Sequence, residues 1–241
     1  MALLSLTGVS KRFGALVVAD DLTFSVEEGE ALGVIGPNGA GKTTMFNLVS
    51  GALKANAGTV MFRGRDVTVV PADVRCRLGI GRTFQVPHPF EGMTVFENAL
   101  VGAFFGGGTG ADDPEETAFA ALSLAGLDAR ANQLAGALPL LERKRLELAR
   151  ALASSPKLLL LDEIAGGLTE AECGALIASI KAIRASGISI VWIEHVVHAL
   201  MAVVDRLIVL DQGRLVAEGA PRAVMESALV REIYMGSDPD G

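Results

Sequence analysis

The chain has 241 residues, of which 50% are hydrophobic and 20% charged. That balance excludes a disordered chain and a small disulfide-stapled fold, and the length suits one large domain or a core with a lobe. With 21 basic and 28 acidic side chains the net charge is −7, which argues against a broad electrostatic grip on DNA or RNA.

Residues 1–30 alternate as strands do: Leu4, Leu6 and Val9, then Leu22, Phe24 and Val26. Residues 31–35 form a short continuous apolar run, the pattern of a strand buried on both faces. A Gly-rich turn follows, and residues 43–53 read as a helix. Residues 58–62 read as a strand, with a turn at Arg63-Gly64-Arg65-Asp66. After Gln85 the composition shifts: 86–89 is loop and 94–105 helical. Gly106-Gly107-Gly108-Thr109-Gly110 is a flexible break that reads as a linker, because no strand directly precedes it. Asp113-Pro114-Glu115-Glu116 offers a cap, a first-turn proline and acidic residues, and helical periodicity runs on to about Ser154. From 157 onward strands and helices alternate: 158–161, 170–186, 188–193, 196–203 and 207–210. A helical lobe at 86–155 thus interrupts an α/β core of 1–85 and 156–241.

Cys76 and Cys173 lack metal-ligand spacing and read as reduced thiols of a cytosolic protein. Mean hydropathy is high, +0.42. The apolar runs nevertheless end early, at Asp162 and Glu194, well short of the roughly 18–20 residues that a spanning helix requires. No signal-peptide pattern opens the chain. The expectation is a soluble, cytoplasmic protein.

The strongest motif is Gly36-Pro37-Asn38-Gly39-Ala40-Gly41-Lys42-Thr43-Thr44, between a predicted strand and a predicted helix. Glycines let backbone N–H groups wrap a phosphate chain, and the helix N-terminus adds partial positive charge. Lys42 can reach β- and γ-phosphates, and Thr43 can bind Mg²⁺. A second element, Lys157-Leu158-Leu159-Leu160-Leu161-Asp162-Glu163, delivers two acids at the end of an apolar strand. Asp162 suits Mg²⁺, and Glu163 suits orienting or deprotonating an attacking water. His195 follows the strand at 188–193 and can contact a γ-phosphate or orient a water, although a lone histidine there is more often structural. His198, a helical turn on, is assigned no role. Gln85, in Arg82-Thr83-Phe84-Gln85, can sense Mg²⁺ or water on one side and the lobe on the other.

In this order, with a helical insertion between the two phosphate motifs, these elements resemble the nucleotide-binding subunit of ATP-binding cassette (ABC) transporters over nearly the whole chain. The resemblance implies a P-loop NTPase of ABC type, α/β, with an N-terminal β-rich subdomain and a helical lobe. It implies ATP and Mg²⁺ as cofactors. It makes Phe13, in Val9-Ser10-Lys11-Arg12-Phe13-Gly14, the adenine platform. Gln85 matches the Q-loop and the metal shell that Thr43 and Asp162 complete, Glu163 the catalytic glutamate, and His195 the switch histidine. More narrowly, Arg82-Thr83-Phe84-Gln85-Val86-Pro87, residues 89–98, Ile193-Glu194-His195, Ala217-Glu218-Gly219 and Glu232-Ile233-Tyr234-Met235-Gly236 are similar to the branched-chain amino acid subfamily. That implies an importer of hydrophobic amino acids. It would comprise a second ATPase subunit, two membrane-spanning permease subunits and, indirectly, a periplasmic or external binding protein, with no nucleic acid. The chain would lie peripherally on the cytoplasmic face of the inner membrane.

The sequence departs from the family where a Leu-Ser-Gly-Gly-Gln signature belongs. Its place is held by Leu138-Pro139-Leu140-Leu141-Glu142. Pro139 has neither hydroxyl nor N–H, and Glu142 puts a charge where an anion would approach. Thr169 replaces the family's usual Asp or Asn, and Ile164 its usual proline. The implied consequence is asymmetric. The P-loop, Asp162, Glu163 and His195 look complete, while the signature that would serve a partner's ATP is altered. Two alternatives stand beside the transport ATPase: a non-transport ABC ATPase and a mainly ATP-binding regulatory subunit. A P-loop kinase fits least, since no arginine-rich lid is present.

Overall fold

The computed structural model describes residues 2–106 and 113–235. Most of the predicted glycine break, from 107 on, and Gly236 lie outside these residues. From the N-terminus come β1 (Ala2–Phe13), β2 (Leu16–Glu27), β3 (Ala31–Ile35), α1 (Lys42–Ser50), β4 (Ala57–Phe62) and the short β5 (Arg65–Asp66). Next are α2 (Ala72–Leu78), β6 (Ile80–Arg82), α3 (Val95–Phe105), α4 (Pro114–Ala125) and α5 (Leu140–Ala153). The chain continues through β7 (Leu158–Asp162), α6 (Glu170–Ala185), β8 (Ser189–Ile193) and α7 (Val197–Met201). It ends with β9 (Arg206–Asp211), β10 (Arg214–Gly219), α8 (Pro221–Glu226) and α9 (Ala228–Met235). This is the α/β class expected. It divides into two compact units, one of residues up to 72 with those from 191 onward, the other of residues 73–190.

In the first unit, β2, β1, β4 and β5 form an antiparallel sheet in that order. The alternation read in the sequence sets its register: Leu4 faces Val26, Leu6 faces Phe24 and Val9 faces Leu22, all buried. Apolar residues two apart share one face, so the pattern selects which side meets the core. β3 is buried along its length and runs parallel to β9, with β10 antiparallel beyond β9. Arg206 at the start of β9 makes two bonds to Glu30, just before β3, at 2.7 and 3.1 Å. That fork fixes where β3 begins, and hence where its phosphate loop ends up.

In the second unit, β6 pairs in parallel with β7, Arg82 opposite Leu160. Around them α3, α4 and α5 share a core of Val95, Ala99, Ala118, Leu122, Leu146 and Ala149. The helix predicted to run from 113 to about 154 is broken. Gly126, at φ 70°, closes α4 in a left-handed cap, two 3₁₀ turns follow, and α5 begins only after Pro139. Hydrophobic spacing alone did not register either stop. The sequence also gave no sign of α2 or β6. β6 has three residues, too few for a period to emerge.

α3 and α6 each start on a capping box. Thr94 pairs with Glu97, and Thr169 with Glu172. Thr169 therefore performs the cap that an Asp or Asn would otherwise supply. Thr169→Ala should lower the unfolding free energy by about 1 kcal/mol, read as a lower urea midpoint at unchanged slope.

Candidate functional site

The phosphate loop belongs to the first unit. Gly36 leaves β3 at φ 152°, where a Cβ would stand 2.1 Å from the Leu210 carbonyl oxygen. Gly41, at φ 98°, caps α1, and a Cβ there would meet the Val18 carbonyl at 2.6 Å. These two positions take no other residue, because neighbouring backbone crowds the loop from behind. The Gly213 N–H donates to the Ala40 carbonyl at 3.0 Å, and the Asp20 N–H donates to Gly213 at 2.8 Å. The β9–β10 turn and β2 thereby brace the loop. Lys42 is only 6% exposed, and its Nζ donates to the Gly36 and Pro37 carbonyls at 2.6 and 3.0 Å. The ammonium is held inside the arch of the loop, where a bound phosphate would meet it. Asn38, Gly39 and Thr43 are exposed at its mouth.

Phe13 ends β1 and is 52% exposed, with the Lys11 ammonium 5.0 Å from its ring centroid. An exposed aromatic face suits stacking on a base. His195 is exposed just beyond β8, and its backbone N–H donates to the Glu194 carboxylate at 2.9 Å. Glu194 is buried and shapes that turn. It was not singled out in the sequence, where it read only as the end of an apolar run.

The two acids belong to the second unit and are held by one segment. The Arg82 guanidinium lies 3.0 Å from Asp162 Oδ2. The Thr83 hydroxyl accepts from the Asp162 N–H at 3.2 Å, and Gln85 Nε2 donates to Glu163 Oε2 at 2.5 Å. Gln85, Asp162 and Glu163, nearly eighty residues apart in sequence, are thus brought together. Arg82 and Thr83 were quoted in the motif but given no role. Glu163 stands at φ 48°, a left-handed conformation uncommon for a residue with a side chain.

At the altered signature, Pro139 caps α5 without a side-chain bond. Arg143 donates to the Leu138 and Gly136 carbonyls at 2.8 Å each, and Glu142 pairs with Arg130 at 3.0 Å. Lys144 Nζ donates to the Gly166 carbonyl in the loop after Glu163. Further along α5, Glu147 lines a groove of about 430 Å³ with Cys76, Arg82, Phe84, Phe105 and Arg150. Burial pushes the Glu147 carboxyl above its ordinary pKa, against the opposing pull of Arg150 and the backbone near His88. A raised folded-state pKa means the folded protein holds its proton longer than the unfolded chain. Stability from this group is therefore full below the ordinary carboxylate range and is lost as pH rises through the raised value. Glu147→Gln should unfold at higher urea than the parent at pH 8, and the gap should close by pH 4.

The ABC transporter family model matches residues 19–166. The chain belongs to the ABC transporter family. It is an ATPase of that family, and its fold agrees: a solved ABC cassette, MJ1267 in its ADP conformation, superposes with a TM-score of 0.89 at 32% identity, covering 98% of this chain and 99% of that one. The chain is 31% identical to the lipopolysaccharide export ATP-binding protein LptB of Escherichia coli K12, across 99% of both. It is 33% identical to the branched-chain amino acid transport ATP-binding protein BraF of Pseudomonas aeruginosa, across 97% of this chain and 98% of that one. It is also 33% identical to a probable branched-chain amino acid transport ATP-binding protein, LivG, of Archaeoglobus fulgidus, across 98% and 96%. Among the described residues of this ABC cassette no helix is long and apolar enough to cross a membrane.

Among those residues no three His, Cys, Asp or Glu side chains gather as a metal cage. Mg²⁺ does not require one: it takes one or two carboxylates plus substrate phosphates and water. Within the second unit, the Asp162 carboxylate and the Gln85 amide oxygen are hard oxygen donors of the kind it prefers.

Proposed function

We propose that this ABC ATPase powers an importer of branched-chain or related hydrophobic amino acids, paired with a second, different ATPase subunit. The reading carries over from the BraF and LivG relatives and from the stretches at 82–87 and 89–98. Two permease subunits would receive its stroke, fed by an external binding protein, with the chain peripheral on the cytoplasmic membrane face. Residues 86–155 would form the lobe between halves of an α/β core. The LptB relative supports a second reading, lipid export, at similar identity.

In the proposed site, Phe13 stacks on adenine. The loop from Gly36 to Thr44 wraps the phosphates, with the Lys42 ammonium on the β- and γ-oxygens. Thr43, Asp162 and Gln85 would hold Mg²⁺, which neutralises phosphate charge when bound. Glu163 takes the proton of the attacking water, and Gln85, bonded to it, sets its direction. His195 steadies the γ-phosphate side.

One observation carries the pairing with a different subunit. The P-loop, Asp162, Glu163 and His195 are all present, while residues 138–142 offer a proline, three leucines and a glutamate in place of a phosphate-binding signature. Two copies of this chain would give each other poor signatures. The deciding experiment is ATP turnover against protein concentration, for the chain alone and mixed with the ATPase subunit encoded beside it. Activity only in the mixture supports the heterodimer. Fast turnover alone, rising with the square of its own concentration, sinks it. Loading the assembled transporter with leucine or with lipopolysaccharide, and asking which stimulates turnover, separates import from export.

A further inference from the structure

Arg82 is placed as no ordinary surface arginine is. It ends β6 directly opposite Leu160, so its side chain reaches the carboxylate two residues further along β7. The Arg82 and Asp162 side chains are only 10% and 6% exposed. A carboxylate so desolvated is stabilised by a nearby cation and destabilised strongly if that cation is removed. Behind Arg82 the segment is anchored. The Thr83 N–H donates to the Leu160 carbonyl at 2.9 Å, and Thr83 is fully buried. Ahead of it Gln85 holds Glu163. Above the guanidinium lies the Phe84 ring, 5.0 Å away and half exposed. At that distance the ring face already stabilises the guanidinium, independently of Asp162.

We propose that Arg82 is a positioning residue that competes with the divalent cation for Asp162. It holds the carboxylate in place and yields it when the metal arrives, its guanidinium drawing back from Asp162 while it stays over the Phe84 ring. This rests on the reading of Asp162 as a metal-holding acid. The physical reason is charge. A cation on Asp162 and a guanidinium 3.0 Å from one of its oxygens repel each other, and the interior screens that repulsion weakly. The peptide that carries Arg82 also carries Gln85, so this exchange shifts the residue that orients Glu163. Metal arrival would then reach the general base through three residues of backbone.

The test uses the full chain, with Mn²⁺ and ADP as probe and free Mn²⁺ read by electron paramagnetic resonance. Asp162→Asn should lose Mn²⁺ binding; if it does not, Asp162 is not the metal acid, and the reading and this inference fall together. Arg82→Gln should bind Mn²⁺ about tenfold more tightly and melt at a lower temperature without metal. Arg77→Gln removes the same charge from an exposed position of α2 and should stay within about twofold of the parent, a general charge effect being too weak at an exposed site. If Asp162→Asn loses the metal but Arg82→Gln binds it no more tightly, the inference is overturned and the reading of Asp162 survives. Equal tightening by Arg77→Gln overturns it too. Should Arg82→Gln fail to fold, the parent with ¹⁵N-labelled arginine decides. The protected Arg82 guanidinium protons should exchange faster once Mg²⁺ joins ADP, and unchanged exchange overturns the proposal.

Discussion

Glu163→Gln should cut ATP turnover by about 10²- to 10⁴-fold while leaving ATP affinity within a few-fold of the parent. Glutamine matches glutamate in shape, and its amide oxygen can still accept from Gln85 Nε2, which lies 2.5 Å from Glu163 Oε2. The fold and the orientation of the side chain should therefore survive. What is lost is basicity, because an amide cannot take a proton from water at neutral pH. Phosphate release by the mixed ATPase pair, measured beside equilibrium ATP binding, checks both halves. Turnover within tenfold of the parent would remove Glu163 from the role of base and leave the acid as a structural end to β7.

Lys42→Ala should weaken ATP binding by about 100-fold or more, as expected when charge-assisted bonds to two phosphates vanish. The loss should exceed that from any neutral loop residue. The ammonium is already inside the arch, on the Gly36 and Pro37 carbonyls, and need not be recruited from solvent. Preorganisation of this kind puts most of its value into binding. The variant also leaves those two carbonyls without their donor, so far-ultraviolet circular dichroism should accompany a titration with a fluorescent ATP analogue. A folded variant with parental affinity would mean that the loop backbone alone holds the phosphates.

The phosphate loop was legible because its chemistry is local. A strand, a run of glycines, a lysine and a helix start lie within fifteen residues, and each constraint is visible in the residue type. The alternation of Leu4 and Leu6 against Leu22, Phe24 and Val26 was equally direct, since a two-residue period names its own face, whereas Val9, three residues on, joins them through a shift of register. What could not be read depends on partners distant in sequence. Arg82 gives no sign of its role until β6 is seen beside β7. Glu147 looks like one more charge on an amphipathic helix until the groove buries it. The breaks at Gly126 and Pro139 were hidden because apolar residues recur throughout 118–149 without a gap long enough to mark a stop. The altered signature was plain as a departure, but the way Arg143, Lys144 and Arg130 tie α5 to its surroundings was not.

The backbone of Glu163, at φ 48°, carries a cost of its own. A residue with a side chain in that conformation gives up about 1 kcal/mol or more that glycine would keep. On the proposed role of Glu163, position 163 is where selection for heat resistance and selection for turnover would pull in opposite directions. A screen that rewards only folded protein should drift toward glycine or asparagine there, and on the proposed role it would enrich stable, silent proteins. If Glu163 is the base proposed above, keeping glutamate at that site favours speed over endurance, written into a single torsion angle.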